Sequence, residues 1–203
     1  NEDYSFSEVE TSNKIPDEVR SEFLVVDLIN GYRTRGHLFT KTNPVRERRQ
    51  YQPNLDIENF GLSKEDLDKT FSAGEILGLG KTKLSKIIEN LQSIYCDSIG
   101  VEYMYMRNPE KLKWWQDRLN KNDNQPNYSI EAKKYILGKL NQAVTFESFL
   151  QTKYVGQKRF SLEGGEALIP GISVALRDAA EKYGVKECVL GMAHRGRLNT
   201  LVN

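Results

Sequence analysis

The segment Gly191-Met192-Ala193-His194-Arg195-Gly196-Arg197-Leu198-Asn199 narrows the possible folds more than any other part of this 203-residue chain. An apolar run, Cys188-Val189-Leu190, leads into one His and two Arg that share Gly196, and a second amphipathic stretch over 198–202 begins at once. Such a pattern reads as a buried strand, a tight turn and the first turn of a helix. Open α/β sheets bind ligands at such junctions, outside the carboxyl ends of strands. A helix start adds free N–H groups and a positive dipole end, so the natural guest is an anion. Guanidiniums clamp phosphate or carboxylate in bidentate fashion, and Gly196 lets the backbone approach closely. His194, Arg195 and Arg197 are therefore candidate ligand-site residues. The plainer alternative is that the two arginines pair with nearby carboxylates on a solvated loop.

The charge balance, 29 basic against 28 acidic residues for a net +1, gives no global field to steer nucleic acid. Counting Gly in place of Tyr brings the apolar share to about 40%, below the roughly 45–50% of ordinary domains. That deficit predicts surface-rich helices, or a piece whose partner surface lies elsewhere. No apolar run approaches membrane-spanning length, and no charged-then-apolar signal opens the chain. Cys96 and Cys188 each sit in an apolar pattern without a CxxC partner, which predicts buried free thiols in a reducing compartment. The chain starts without Met and stops inside the element that Arg197 opens, so a fragment of a longer protein is expected.

Residues 1–13 are polar and read as frayed. Positions Phe23, Val26, Ile29 and Tyr32, with Val25 and Leu28, have helical spacing over 16–39; Gly36 weakens the end and Pro44 cannot continue it. The stretch 46–60 lacks periodicity and reads as an extended ordered loop. Ser63 and Asp66 form a capping-box pattern before a short helix ending near Phe71. The strongest helix spans 82–98, with Leu84, Ile87, Ile88, Leu91, Ile94 and Tyr95 on one face. Asn108-Pro109 is an N-cap with Pro at the first helical position, before Leu112, Trp115 and Leu119. After a polar linker at 120–127, Ser129 caps a helix through Ala143, and Thr145 caps another ending near Gly156. A last helix over 164–183 carries Leu168, Ile172, Leu176, Ala179 and Tyr183, with a kink expected at Pro170. The fold class expected is a mostly α-helical N-terminal region that leads into the first strand–helix units of an α/β layer. No sequence repeat is present.

Smaller signals are mostly structural. Gly78-Leu79-Gly80-Lys81-Thr82 invites a phosphate-loop reading but fails on spacing, because the required first glycine falls at Glu75. Arg46-Glu47-Arg48-Arg49 is a short basic cluster broken by an acid. Tyr103, Met104, Tyr105 and Met106 alternate as a packed extended segment would. His37 ends a helix, where a cation complements the dipole. The paired glycines of Glu163-Gly164-Gly165-Glu166 allow close backbone approach to a neighbour or ligand, and Phe160 just before them could wall a pocket.

With His194-Arg195-Gly196-Arg197 preceded by Arg159-Phe160-Ser161-Leu162-Glu163-Gly164-Gly165, the chain resembles the thiamine-diphosphate-dependent decarboxylating component of 2-oxoglutarate dehydrogenase complexes. Two earlier blocks agree: Asp27-Leu28-Ile29-Asn30-Gly31-Tyr32-Arg33-Thr34-Arg35-Gly36-His37-Leu38 and Tyr95-Cys96-Asp97-Ser98-Ile99-Gly100-Val101-Glu102-Tyr103. Thr42-Asn43-Pro44-Val45 departs from the family's usual Leu-Asp-Pro-Leu. The resemblance covers about 21–203.

What the resemblance implies is a homodimer that binds thiamine diphosphate and magnesium, decarboxylates 2-oxoglutarate, and passes the succinyl unit to a lipoyl domain of the dihydrolipoyl succinyltransferase core. His194 matches a histidine that contacts substrate, as a residue with near-neutral pKa can. Phe160 matches a substrate-pocket position, and Arg195 and Arg197 match positions near the cofactor. No metal ligand is assigned, because the Gly-Asp-Gly motif for magnesium and diphosphate is absent before Asn203. The expected divisions are a flexible segment at 1–15, a helical region at 16–155, and at 156–203 the beginning of the first thiamine-diphosphate-binding domain. Alone, the chain is expected to be inactive. The expected location is the bacterial cytoplasm, or the mitochondrial matrix of a eukaryote, with neither nucleic acid nor membrane as partner. The alternatives are a 2-oxoadipate dehydrogenase component and a non-catalytic helical interaction module.

Overall fold

Helical spacing of the apolar residues sets most of the architecture in the computed structural model, which describes residues 15–43, 45–46, 54–157 and 160–203. The expectations for 1–13, for Pro44, for all but Arg46 of the basic cluster and for Arg159 lie outside the described residues. Contacts divide the chain into two units, Asn1–Pro126 and Asn127–Asn203.

In the first unit, helix α1 (Asp17–Arg35) turns Val25, Leu28, Ile29 and Tyr32 inward, while Phe23 stays exposed. Two residue spacings compete on this helix, and the one through Val25 and Leu28 faces the core. Helix α2 (Leu84–Tyr95) supplies the opposing face with Leu84, Ile87, Leu91, Ile94 and Tyr95; Ile88 packs at the margin of that core. The two strands of the unit, β1 (Thr70–Phe71) and β2 (Thr82–Lys83), pair antiparallel with Phe71 opposite Thr82. The capping box forms as its spacing predicts, with Asp66 Oδ2 accepting from Ser63 N at 2.7 Å. It opens only a 3-10 turn, Lys64–Asp68, because Phe71 belongs to the ladder. Glu22 of α1 accepts from Ser72 N and Ala73 N at 2.7 and 2.9 Å, which satisfies the orphan donors of the turn Ser72–Leu77. Gly78, with φ 78°, closes that turn. The glycine-rich loop thus delivers the chain to β2 and α2.

Helix α3 (Pro109–Asn120) starts as its sequence predicts, with Asn108 Oδ1 accepting from Lys111 N at 3.0 Å. The blocks 27–38 and 95–103 pack together. A methyl on Gly36 would lie 2.6 Å from Tyr95 Cβ, Lys41 N donates to Asp97 O at 2.8 Å, and the buried Tyr95 and Tyr103 hydroxyls sit 3.0 Å apart. Burial drives the Tyr103 hydroxyl pKa far up, and the Tyr95 contact adds to it.

In the second unit, Ser129 caps helix α4 (Ile130–Lys153), its Oγ accepting from Ala132 N at 3.2 Å. The break expected at 143–145 does not occur. Neither Gly nor Pro lies between 139 and 153, and a lone Thr lowers helix propensity only slightly. Helix α5 (Leu168–Tyr183) is not kinked at mid-length by Pro170, which sits in its first turn where no intrahelical N–H is required. Gly184, with φ 67°, ends α5, as Val185 N donates to Ala179 O. The last helix is α6 (Arg197–Val202). Residues 188–190 form no strand: they are irregular and exposed, Val189 at 97%. A strand needs a ladder partner, and among the described residues of this unit there is none. Cys188 is accordingly exposed rather than buried, whereas Cys96 in the first unit is half-buried.

Among the described residues no helix is long and apolar enough to cross a membrane.

Candidate functional site

The candidate site lies within the second unit, where the loop 160–165 meets the turn 194–196 against α4. Gly196, with φ 69°, takes a conformation that L side chains rarely adopt, and an added Cβ would collide with the Leu162 side chain. Its N–H donates to Phe160 O at 2.9 Å, so glycine is required both for the turn and for the approach of the two loops. Arg195 fastens the same junction from its side chain, Nη2 donating to Glu163 O at 2.7 Å and Nε to Ser161 O at 3.3 Å. The side chain is exposed.

Buried beneath the turn, Asn199 donates from Nδ2 to Ala143 O at 2.9 Å and to Glu147 Oε1 at 3.0 Å. Glu147 Oε1 also accepts from Leu162 N at 3.2 Å. Asn199 is fully buried and Glu147 4% exposed, so one buried carboxylate ties α4, α6 and the 160–165 loop together. Sequence reasoning singled out neither residue. Asn199 stands inside the quoted segment and reads as an ordinary helical position, and Glu147 lies mid-helix with no local signature.

This framework holds the Phe160 and His194 rings against one another, with centroids 3.9 Å apart and planes inclined by 49°. Beside them opens a cleft of about 240 Å³, lined by Leu150, Phe160, His194, Arg197 and Leu198, with Glu147 and Asn199 at its base. It falls below the roughly 300–1,000 Å³ of whole-ligand pockets. It can receive one end of a small molecule: a ring edge or chain against Phe160, a polar group at His194, and an anionic group at Arg197. Arg195 does not line it. Because α6 has six residues and Arg197 N points at His194 O (3.4 Å), the helix start contributes little to anion binding. Three of the four residues marked from sequence, Phe160, His194 and Arg197, are thus brought to one cleft, and Arg195 stands behind it as a brace. Among the described residues no group of three or more His, Cys, Asp or Glu is placed to hold a metal ion.

Comparison with known proteins gives similarity over most of this chain. The chain is 46% identical over 182 residues to the multifunctional 2-oxoglutarate metabolism enzyme of Mycolicibacterium vanbaalenii, covering 88% of this chain and 14% of that protein. It is 43% identical over 186 residues to the 2-oxoglutarate dehydrogenase E1 component of Cupriavidus necator, covering 91% and 20% respectively. With the E1 component of Azotobacter vinelandii the identity is 41% over 197 residues, 96% of this chain and 21% of that one. No family model matches the chain. The chain therefore spans about a fifth or less of the length of the curated relatives it matches.

Proposed function

We propose, from the premise that this chain is a relative of 2-oxoglutarate dehydrogenase E1 components, that it contributes one wall of the active site of an enzyme that oxidatively decarboxylates 2-oxoglutarate. The observation that carries the reading is the cleft in which Phe160, His194 and Arg197 converge on a buried Glu147–Asn199 base. Thiamine diphosphate, when bound, supplies the nucleophilic carbon and the electron sink that decarboxylation of a 2-oxo acid needs. The donor set here suits part of that cofactor only: the exposed guanidiniums of Arg195 and Arg197 offer charge-assisted bonds to an anion. Among the described residues no group of three or more His, Cys, Asp or Glu is placed to hold magnesium.

His194 hydrogen-bonds a carboxylate or carbonyl oxygen of the 2-oxo acid and exchanges a proton with it. Phe160 covers the imidazole and keeps water from that face. Glu147 and Asn199 are positioning residues that fix the turn. The succinyl unit is handed to a lipoyl group of a dihydrolipoyl succinyltransferase, and the working assembly is a homodimer in the cytoplasm or mitochondrial matrix.

Kinetics of the full-length enzyme test this. His194→Ala should lower kcat/KM for 2-oxoglutarate on the order of 10²-fold or more, with cofactor affinity nearly unchanged. An unchanged kcat/KM sinks the assignment. Parallel titration with 2-oxoadipate separates the sister activity, and loss of neither activity favours a non-catalytic helical module.

A further inference from the structure

Arg33 sits on the inward face of α1 and is only 7% exposed, yet nothing described here neutralises it. Its Nη1 donates to Asn30 Oδ1 at 3.3 Å, and its Nε has no hydrogen-bond partner. The neighbouring Tyr103 hydroxyl gives no counter-charge, since burial keeps it protonated. A guanidinium buried with so little compensation is costly, and buried charges are ordinarily paired. The same side chain lines a cleft of about 680 Å³ between the turn Ser72–Leu77 and α3. Asn120, also lining this cleft, donates from Nδ2 to Ile76 O at 3.2 Å and leaves a buried Oδ1 unpartnered. The acids of the cleft do not answer Arg33: Asp117 is held by Lys113 at 2.9 Å, and Glu75 is exposed.

We propose that Arg33 and Asn120 form a binding site for a small molecule that carries an oxyanion, phosphate or carboxylate, together with an N–H or O–H donor. The oxyanion meets the unused guanidinium N–H, and the donor meets Asn120 Oδ1. The cleft volume lies within the range of small-molecule pockets. The site lies within the first unit, and the His194 cleft within the second.

The test uses the full-length protein saturated with thiamine diphosphate and magnesium, titrated calorimetrically with inorganic phosphate, β-alanine and phosphoethanolamine against potassium chloride of equal ionic strength. Saturable binding is expected, and the phosphate and β-alanine arms separate the two kinds of oxyanion. Arg33→Met should raise Kd at least tenfold while the Tm of ligand-free protein holds or rises, because a buried charge is removed. Arg33→Lys, which keeps the charge but loses the planar fork, should raise Kd at least threefold. Asn120→Asp should weaken phosphate more than phosphoethanolamine, whose ammonium gains a partner. The proposal is overturned if no arm saturates, or if Arg33→Lys binds like wild type. It is equally overturned if Arg33→Met lowers the ligand-free Tm by several degrees, since a carboxylate of the longer chain then already pairs with Arg33.

Discussion

The two units of this chain bury their apolar residues to very different extents. Among the described residues, the first closes sixteen buried ones from α1, α2, α3 and the intervening segments into one cluster. The cluster of the second holds three, Ala143, Leu162 and Ile169, while Leu137, Val144, Phe149, Leu198, Leu201 and Val202 are at least 48% exposed. Buried apolar surface stabilises by about 25 cal/mol per Å², so the first unit draws far more on a core than the second does. The second is organised by polar ties instead: Asn199 and Glu147 beneath the turn, and Arg195 on two carbonyls. A candidate site therefore rests on the less self-sufficient half.

Hydrogen exchange on the 203-residue chain offers the harshest trial of that contrast. Amides of α1 and α2 should be protected on the order of 10³-fold or more relative to residues 184–193, which have no ladder and little cover. Equal protection in the two regions would erase the distinction. Next in size is a core truncation. Leu91, fully buried in α2, should cost roughly 2–5 kcal/mol as Leu91→Ala in denaturant titration. A loss below half a kilocalorie would mean that the α2 face is not the centre of the core.

The cysteines sharpen the comparison chemically. Burial pushes the Cys96 thiol up to about 11, so it holds its proton through neutral and mildly alkaline pH. Cys188 is exposed. At pH 8, Cys96 should react with iodoacetamide on the order of 10²-fold more slowly than an ordinary exposed thiol, with its rate climbing only as pH nears 11. The folded pKa lies above that of the unfolded thiol, so this group's contribution to stability is complete below the unfolded pKa. It is lost as pH rises through the folded value. Mass spectrometry of the two labelled peptides reads both rates, and equal rates would show that the first core is loose around Cys96.

Legibility of the fold follows the same division. Helices whose apolar face is buried by their own unit could be placed from spacing alone, as in α2, and the caps Asn108 and Ser129 could be placed because their chemistry is local. The choice between Phe23 and Val25 as the inward residue of α1 was not legible, since it is settled by which face α2 covers. His194, Arg195 and Arg197 were legible as a group from the turn they share, and Phe160 as a pocket wall beside the paired glycines, though the hydrogen bonds of Arg195 go to the backbone. Glu147 and Asn199 were invisible because their role depends on meeting across 52 residues of chain. The apolar run 188–190 reads as a strand from sequence, yet among the described residues it has no ladder partner and stays irregular.

That last disagreement gives the smallest expected effect and the one most sensitive to context. In the 203-residue chain Val189 is 97% exposed and touches little, so Val189→Ser should change stability by no more than about half a kilocalorie. A run of three apolar residues is poorly explained by that environment, since strands buried on both faces are what such runs ordinarily make. In a longer chain that supplies parallel neighbours, the same substitution should place a hydroxyl in a dry layer and cost roughly 1–3 kcal/mol. Thermal denaturation of both forms, each with and without the substitution, measures the difference directly. Equal small effects would mean that 188–190 stays irregular in both forms. A large effect in the 203-residue chain would mean that the second unit closes a core around Val189 without help.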